Sequence, residues 1–86
     1  MLSVEAREQL IRRLRKIEGQ TQGIQRMLAE ERECREVLNQ LASVKAATHR
    51  VSLELAKHHI LACLNDPECA TTEESVNDLI KHLVRI

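Results

Sequence analysis

Thirty residues from Cys34 to Cys63 contain neither glycine nor proline, and this stretch decides most of what the chain can fold into. Apolar or small side chains recur within it at Val37, Leu41, Val44, Thr48, Val51, Leu55, His58 and Ala62, in alternating steps of four and three. That spacing follows one face of an α-helix. It predicts one unbroken helix of roughly eight turns, in which Cys34 stands about 37 Å from His59 and farther still from Cys63.

The same stretch holds two of the three cysteines and three of the four histidines. His59 and Cys63 are four apart and project from the same helix face. Cys34 waits at the other end, out of reach within one straight helix. An antiparallel partner helix would bring the ends together, so a site made of all three residues needs two subunits. Taken singly, each has an ordinary explanation: a free cysteine packs as a small hydrophobe, and a helical histidine is usually solvated or hydrogen-bonded. As a set, two thiolates and one imidazole form a soft three-coordinate group suited to Cu(I), whereas Zn(II) takes a fourth ligand.

A chain of 86 residues forms one domain, here residues 1–86. Two long helices side by side leave each wide apolar stripe only partly covered, and self-association is the expected remedy. Phe, Tyr and Trp are absent, which removes the stacking platforms of single-stranded nucleic-acid binders and the usual aromatic walls of small-molecule pockets. No Ser-His-Asp order, glycine-rich phosphate loop or paired carboxylate stands out, so the composition argues against an enzyme. No apolar run approaches the length of a membrane span and no signal peptide is visible. The expected location is the cytosol, where three cysteines read as metal ligands or redox thiols rather than as a disulfide framework.

Formal net charge is zero, but its distribution is uneven. Residues 1–50 carry ten Lys/Arg against seven Asp/Glu, and residues 51–86 carry three against six, so the amino-terminal half is the candidate for an anionic partner. Within it, Arg12-Arg13-Leu14-Arg15-Lys16 packs four cations into five residues. Such a run is often only a solvated helix face. Arg13, Lys16 and Gln20, however, fall on one stripe, expected opposite the Leu10/Leu14/Ile17 seam, and a stripe of this kind can neutralise a phosphate backbone.

Ser3 is expected to cap a first helix that runs to about Ala29, with Leu10, Leu14, Ile17, Thr21, Ile24 and Leu28 as its seam. Gly19 and Gly23, one turn apart, predict a close approach by another backbone. The charged run Glu30-Glu31-Arg32-Glu33 breaks the apolar pattern and marks the turn into the second helix. Asn65-Asp66-Pro67-Glu68 stops that helix, and Thr71 with Glu74 forms a capping-box spacing. A short third helix follows, with Val76, Leu79, Ile80, Leu83 and Val84 as its apolar face. The fold class is all-α, a three-helix protomer. His58 lies on the seam as a structural histidine, and His49 and His82 are read as surface or packing residues. Cys69, just past Pro67, is either a loop thiol or a resolving cysteine for Cys63.

The residues Arg13-Leu14-Arg15-Lys16-Ile17-Glu18-Gly19-Gln20, then Gly23-Ile24, then Cys34 with Val37-Leu38 and Gln40, then His59-x-x-x-Cys63, resemble the CsoR/RcnR family of ligand-responsive bacterial repressors. The resemblance spans nearly the whole chain. It implies an antiparallel dimer, a dimer-of-dimers tetramer, ligand sites shared between subunits, and binding of double-stranded operator DNA without a helix-turn-helix. Its copper-sensing branch places ligands on Cys34, His59 and Cys63, and the family's DNA-contacting arginines fall on Arg13 and Arg50. Where copper sensors usually carry Tyr before the first ligand, this chain has Glu33, which resembles the persulfide-sensing branch. In that second reading Cys34 and Cys63 are bridged by reactive sulfur species and no metal is needed. A third reading, from a different class, is a metal-buffering helical protein with no DNA role.

Overall fold

The computed structural model describes residues 2–64 and 73–85, with the side chains of the last segment described at 77–82 and 84. Three helices follow in chain order: α1 (Val4–Ala29), α2 (Cys34–Leu64) and α3 (Glu73–Arg85). The described residues contain no strand. α1 and α2 pack side by side as an antiparallel hairpin, and α3 lies against α2.

α1 begins where its sequence says it should. The Ser3 hydroxyl accepts the Ala6 amide at 3.1 Å, satisfying one of the orphan donors of the first turn, and Glu5 adds a carboxylate at the positive end of the helix dipole. The other end has no glycine, yet it closes in a Schellman arrangement. The Arg32 amide donates to the Met27 carbonyl at 3.0 Å and the Glu31 amide to the Leu28 carbonyl at 3.2 Å. Glu31 takes the left-handed conformation this closure needs, at φ 55°. Arg32 then clamps the corner by donating to Glu36 Oε2 from Nη2 at 2.9 Å and from Nε at 3.1 Å. The chain re-enters helix at once, with the Glu33 carbonyl accepting the Glu36 and Val37 amides.

α2 is unbroken over its 31 residues. Two of its hydroxyl residues are satisfied locally: Thr48 donates to the Val44 carbonyl at 2.8 Å and Ser52 to the Thr48 carbonyl at 3.3 Å. The stop and capping residues expected at 65–68 and at Thr71 lie outside the described residues.

The seam between α1 and α2 departs from the expected one. The α1 residues turned toward α2 are Ala6, Leu10 and Ile24, which are buried, with Arg13, Ile17, Gln20 and Met27 half-buried between them. Leu14 and Leu28, expected on the seam, are 47% and 61% exposed. On α2 the same holds for Leu41 and Leu55, while Val37 is buried and Val44, Val51, His58 and Ala62 are half-buried. The reason is geometric: one neighbouring helix covers a narrow row, and each apolar stripe here is wider than that row. On α3, Leu79 is half-buried, but Ile80 and Val84 are exposed.

The protomer is left with much open apolar surface. Its accessible area is 7146 Å², against about 5,200 Å² for a compact chain of this mass. At Gly19 and Gly23 an added Cβ would meet nothing within 4 Å among the described residues, so the close backbone approach they predict is not made within the described part of one chain.

Candidate metal and nucleic-acid sites

Arg13, Lys16 and Gln20 do lie on one stripe, four and three residues apart, but the stripe does not point away from the helix pair. It borders α2. Together with Gln9, Arg12 and Ile17 it forms one wall of an open cleft whose other wall is Ala46, Ala47 and Arg50. The small side chains of Ala46 and Ala47 leave the room, and Arg50 reaches the same cleft from the second helix. Arg13 and Arg50, far apart in sequence, therefore share one surface feature.

The cleft contains four cations and no carboxylate, although cations and carboxylates are equal in number over the whole chain. Among the described residues the ion pairs are those of Arg32 with Glu30 and Glu36, so none of the four cleft cations is neutralised within the protomer. Concentrated, uncompensated positive charge on a groove wall attracts a polyanion. Arg12 and Gln9 are the residues that sequence reasoning missed. Arg12 stood in the visible basic run, but which members of that run face α2 depends on the rotation of α1 about its axis.

The soft donors are placed quite differently. Cys34 is the first residue of α2, exposed and with a free thiol. His59 is exposed and Cys63 half-buried, one turn apart near the other end of the same helix. Cys34 and Cys63 are thus separated by about 43 Å of continuous helix. Among the described residues no three His, Cys, Asp or Glu side chains of one protomer converge as a metal site.

Cys63 is held in a disulfide. The expectation was of metal ligands or redox thiols rather than a disulfide framework, and one disulfide at Cys63 falls within the redox reading. A thiolate donor at position 63 requires this disulfide to be reduced by two electrons, releasing two thiols. Cys69, read as either a loop thiol or a resolving cysteine, lies outside the described residues.

Of the remaining histidines, His58 is half-buried on the seam and His82 exposed, as expected. His49 is a packing residue whose Nδ1 is buried without a hydrogen-bond partner. No described helix is long and apolar enough to cross a membrane.

Comparison with known proteins gives first the class: residues 6–85 match the family described as metal-sensitive transcriptional repressors. Two curated relatives are more particular. The copper-sensing transcriptional repressor CsoR of Bacillus subtilis (strain 168) is 34% identical over 79 residues, covering 91% of this chain and 78% of the relative. The copper-sensing transcriptional repressor RicR of Mycobacterium tuberculosis (strain ATCC 25618 / H37Rv) is 37% identical over 60 residues, covering 70% of this chain and 62% of the relative. The chain belongs to the CsoR family of metal-sensitive transcriptional repressors, and the resemblance read from its motifs is borne out.

Proposed function

We propose that this repressor senses Cu(I) at a site completed by two subunits, and that it holds duplex DNA through the cleft between α1 and α2. The observation that carries the reading is the unbroken course of α2, which puts Cys34 and the His59/Cys63 pair at opposite ends of one rigid rod. A second copy laid antiparallel would set each Cys34 beside the partner subunit's His59 and Cys63, forming two equivalent sites in a dimer. The exposed Leu38, Leu41, Leu53 and Leu55 on α2, with Leu14 and Leu28 on α1, supply apolar surface for that dimer and for its pairing into a tetramer. Copper-sensing relatives support the choice of metal, and so does the donor set, since two thiolates and an imidazole match the soft, low-coordinate preference of Cu(I). The expected compartment is the cytoplasm.

In this reading Arg13, Lys16 and Arg50 neutralise phosphates of operator DNA. Drawing Cys34 of one subunit against the partner's His59 and Cys63 fixes the relative position of two α2 rods, and with it the spacing of their clefts. Effector binding then favours an arrangement that fits DNA poorly, with a coupling of about 1 to 3 kcal/mol typical of such linkage. Anaerobic Cu(I) titration of the reduced protein against a strong competitor tests the site. One tight Cu(I) per subunit is expected, lost on substitution of any of the three donors.

A second reading is a persulfide sensor in which reactive sulfur species bridge Cys34 and Cys63, with Glu33 beside the first thiol. The disulfide at Cys63 makes this sulfur a member of a sulfur–sulfur bond, whose partner is not Cys34, since the Cys34 thiol is free. Mass spectrometry after persulfide treatment separates the two readings: covalent sulfur linking two subunits favours this one, and unmodified thiols favour copper.

A further inference from the structure

We propose that Gln9 and Gln20 are DNA-contacting residues, neutral donors that extend the phosphate track of the cleft beyond its cations at both ends. The inference rests on the proposed DNA reading of the cleft and adds the residues that set its length. Gln9, Arg13, Lys16 and Gln20 stand at steps of four, three and four along α1 and line one wall of the cleft. They form a row about 16 Å long. A DNA strand laid along it passes a phosphate about every 3.4 Å of duplex axis, so the row outreaches its two central cations at each end.

The side chains at those two ends are amides, which give donors without charge. Every polar residue lining the cleft, whether Gln, Arg or Lys, can donate to a phosphate oxygen, and none is an acidic competitor. Gln9 is exposed, and its side-chain amide makes no hydrogen bond among the described residues. Gln20 is half-buried, and its Nε2 approaches Ser43 Oγ of α2 at 3.5 Å, a long contact that occupies at most one of its two N–H groups. Its amide is thus steadied against α2 with a donor left for the cleft. Neutral donors and cations contribute to DNA affinity in distinguishable ways. A cation that meets a phosphate releases counterions and steepens the dependence of affinity on salt, and an amide does not.

The test is a salt titration, by fluorescence anisotropy, of the intact reduced protein on a fluorescein-labelled duplex of random sequence, since phosphate contacts are sequence-independent. Gln9→Ala and Gln20→Ala should each weaken binding about five-fold at every salt concentration, the size of one lost hydrogen bond, with a slope parallel to the wild type. Arg13→Ala should lower the slope by about one unit. Ser43→Ala removes the contact between helices but keeps the Gln20 amide, and should change affinity less than two-fold; a loss equal to that of Gln20→Ala would make Gln20 a structural residue and overturn its part. Wild-type affinity in both glutamine variants, with Arg13→Ala weakened, overturns this inference alone. Wild-type affinity and slope in Arg13→Ala overturns the DNA reading of the cleft and this inference with it.

Discussion

The middle of the hairpin and its two ends are built on opposite plans. In the middle, Arg13 of α1 and Arg50 of α2 come together inside one protomer, because two helices joined by a four-residue corner must face each other there. At the ends, Cys34 and the His59/Cys63 pair are kept apart by the helix that carries them. In the proposed function, one surface is therefore complete in a single chain, and the other needs a second. Charge on a groove wall needs little precision to hold a polyanion, whereas soft donors must meet within bonding distance. On the proposed reading, a site across a subunit boundary would tie its occupancy to how two protomers are arranged, and that arrangement is what a bound duplex would read.

The sharpest way to break this comparison is at His59. Trigonal Cu(I) counts its imidazole as one of three donors, while a sulfur bridge between thiols leaves it out of the product. His59→Ala is expected to abolish Cu(I)-driven release from DNA, followed by anisotropy, while leaving DNA affinity without metal unchanged. Normal release in this variant would remove the histidine from the site. Next in size is a mixing experiment. Cys34→Ala and His59→Ala proteins should each fail to bind Cu(I) tightly, yet their mixed dimer should regain about half its sites, one whole and one doubly damaged. Recovery of none would place the site inside one subunit.

On the other side of the comparison, Arg50→Ala should weaken DNA binding about ten-fold, in line with the loss of one charge-assisted phosphate contact. Cu(I) affinity should stay at the wild-type value. A matching loss of copper affinity would mean that the two regions are not separate.

Smaller effects probe the scaffold. Gly19→Ala and Gly23→Ala have space in the protomer and should each stabilise α1 by about 1 kcal/mol through helix propensity, seen as a higher unfolding midpoint. A destabilised oligomer instead would reveal a second subunit seated on these glycines. Glu31→Gly should gain up to about 1 kcal/mol, because glycine takes the left-handed conformation without the steric cost a side chain carries.

Helix limits were legible in the sequence for local reasons. Ser3 and the missing glycine or proline between Cys34 and Cys63 act within a turn or along one helix. The seam was less legible: Leu10, Leu14 and Leu28 look alike in a periodic pattern, but only Leu10 is covered, and that depends on how α1 is rotated against its neighbour. The same rotation decided that Arg12 joins the cleft. The left-handed Glu31 carries no residue signal, since the geometry is imposed by the two helices it joins.

The unbroken course of α2 also limits how this protein can change in length. One residue inserted between Ala46 and His59 would turn everything beyond it by about 100° and shift it by about 1.5 Å, swinging the imidazole and thiol out of phase with the cleft. Seven inserted residues would restore the face to within about 20° but displace it by about 10 Å, and a second copy would no longer match end to end. Insertions and deletions are therefore expected to be tolerated at the corner and beyond the last turn of α2, and refused in between, so that relatives are expected to drift in sequence along this helix while keeping its count of residues fixed.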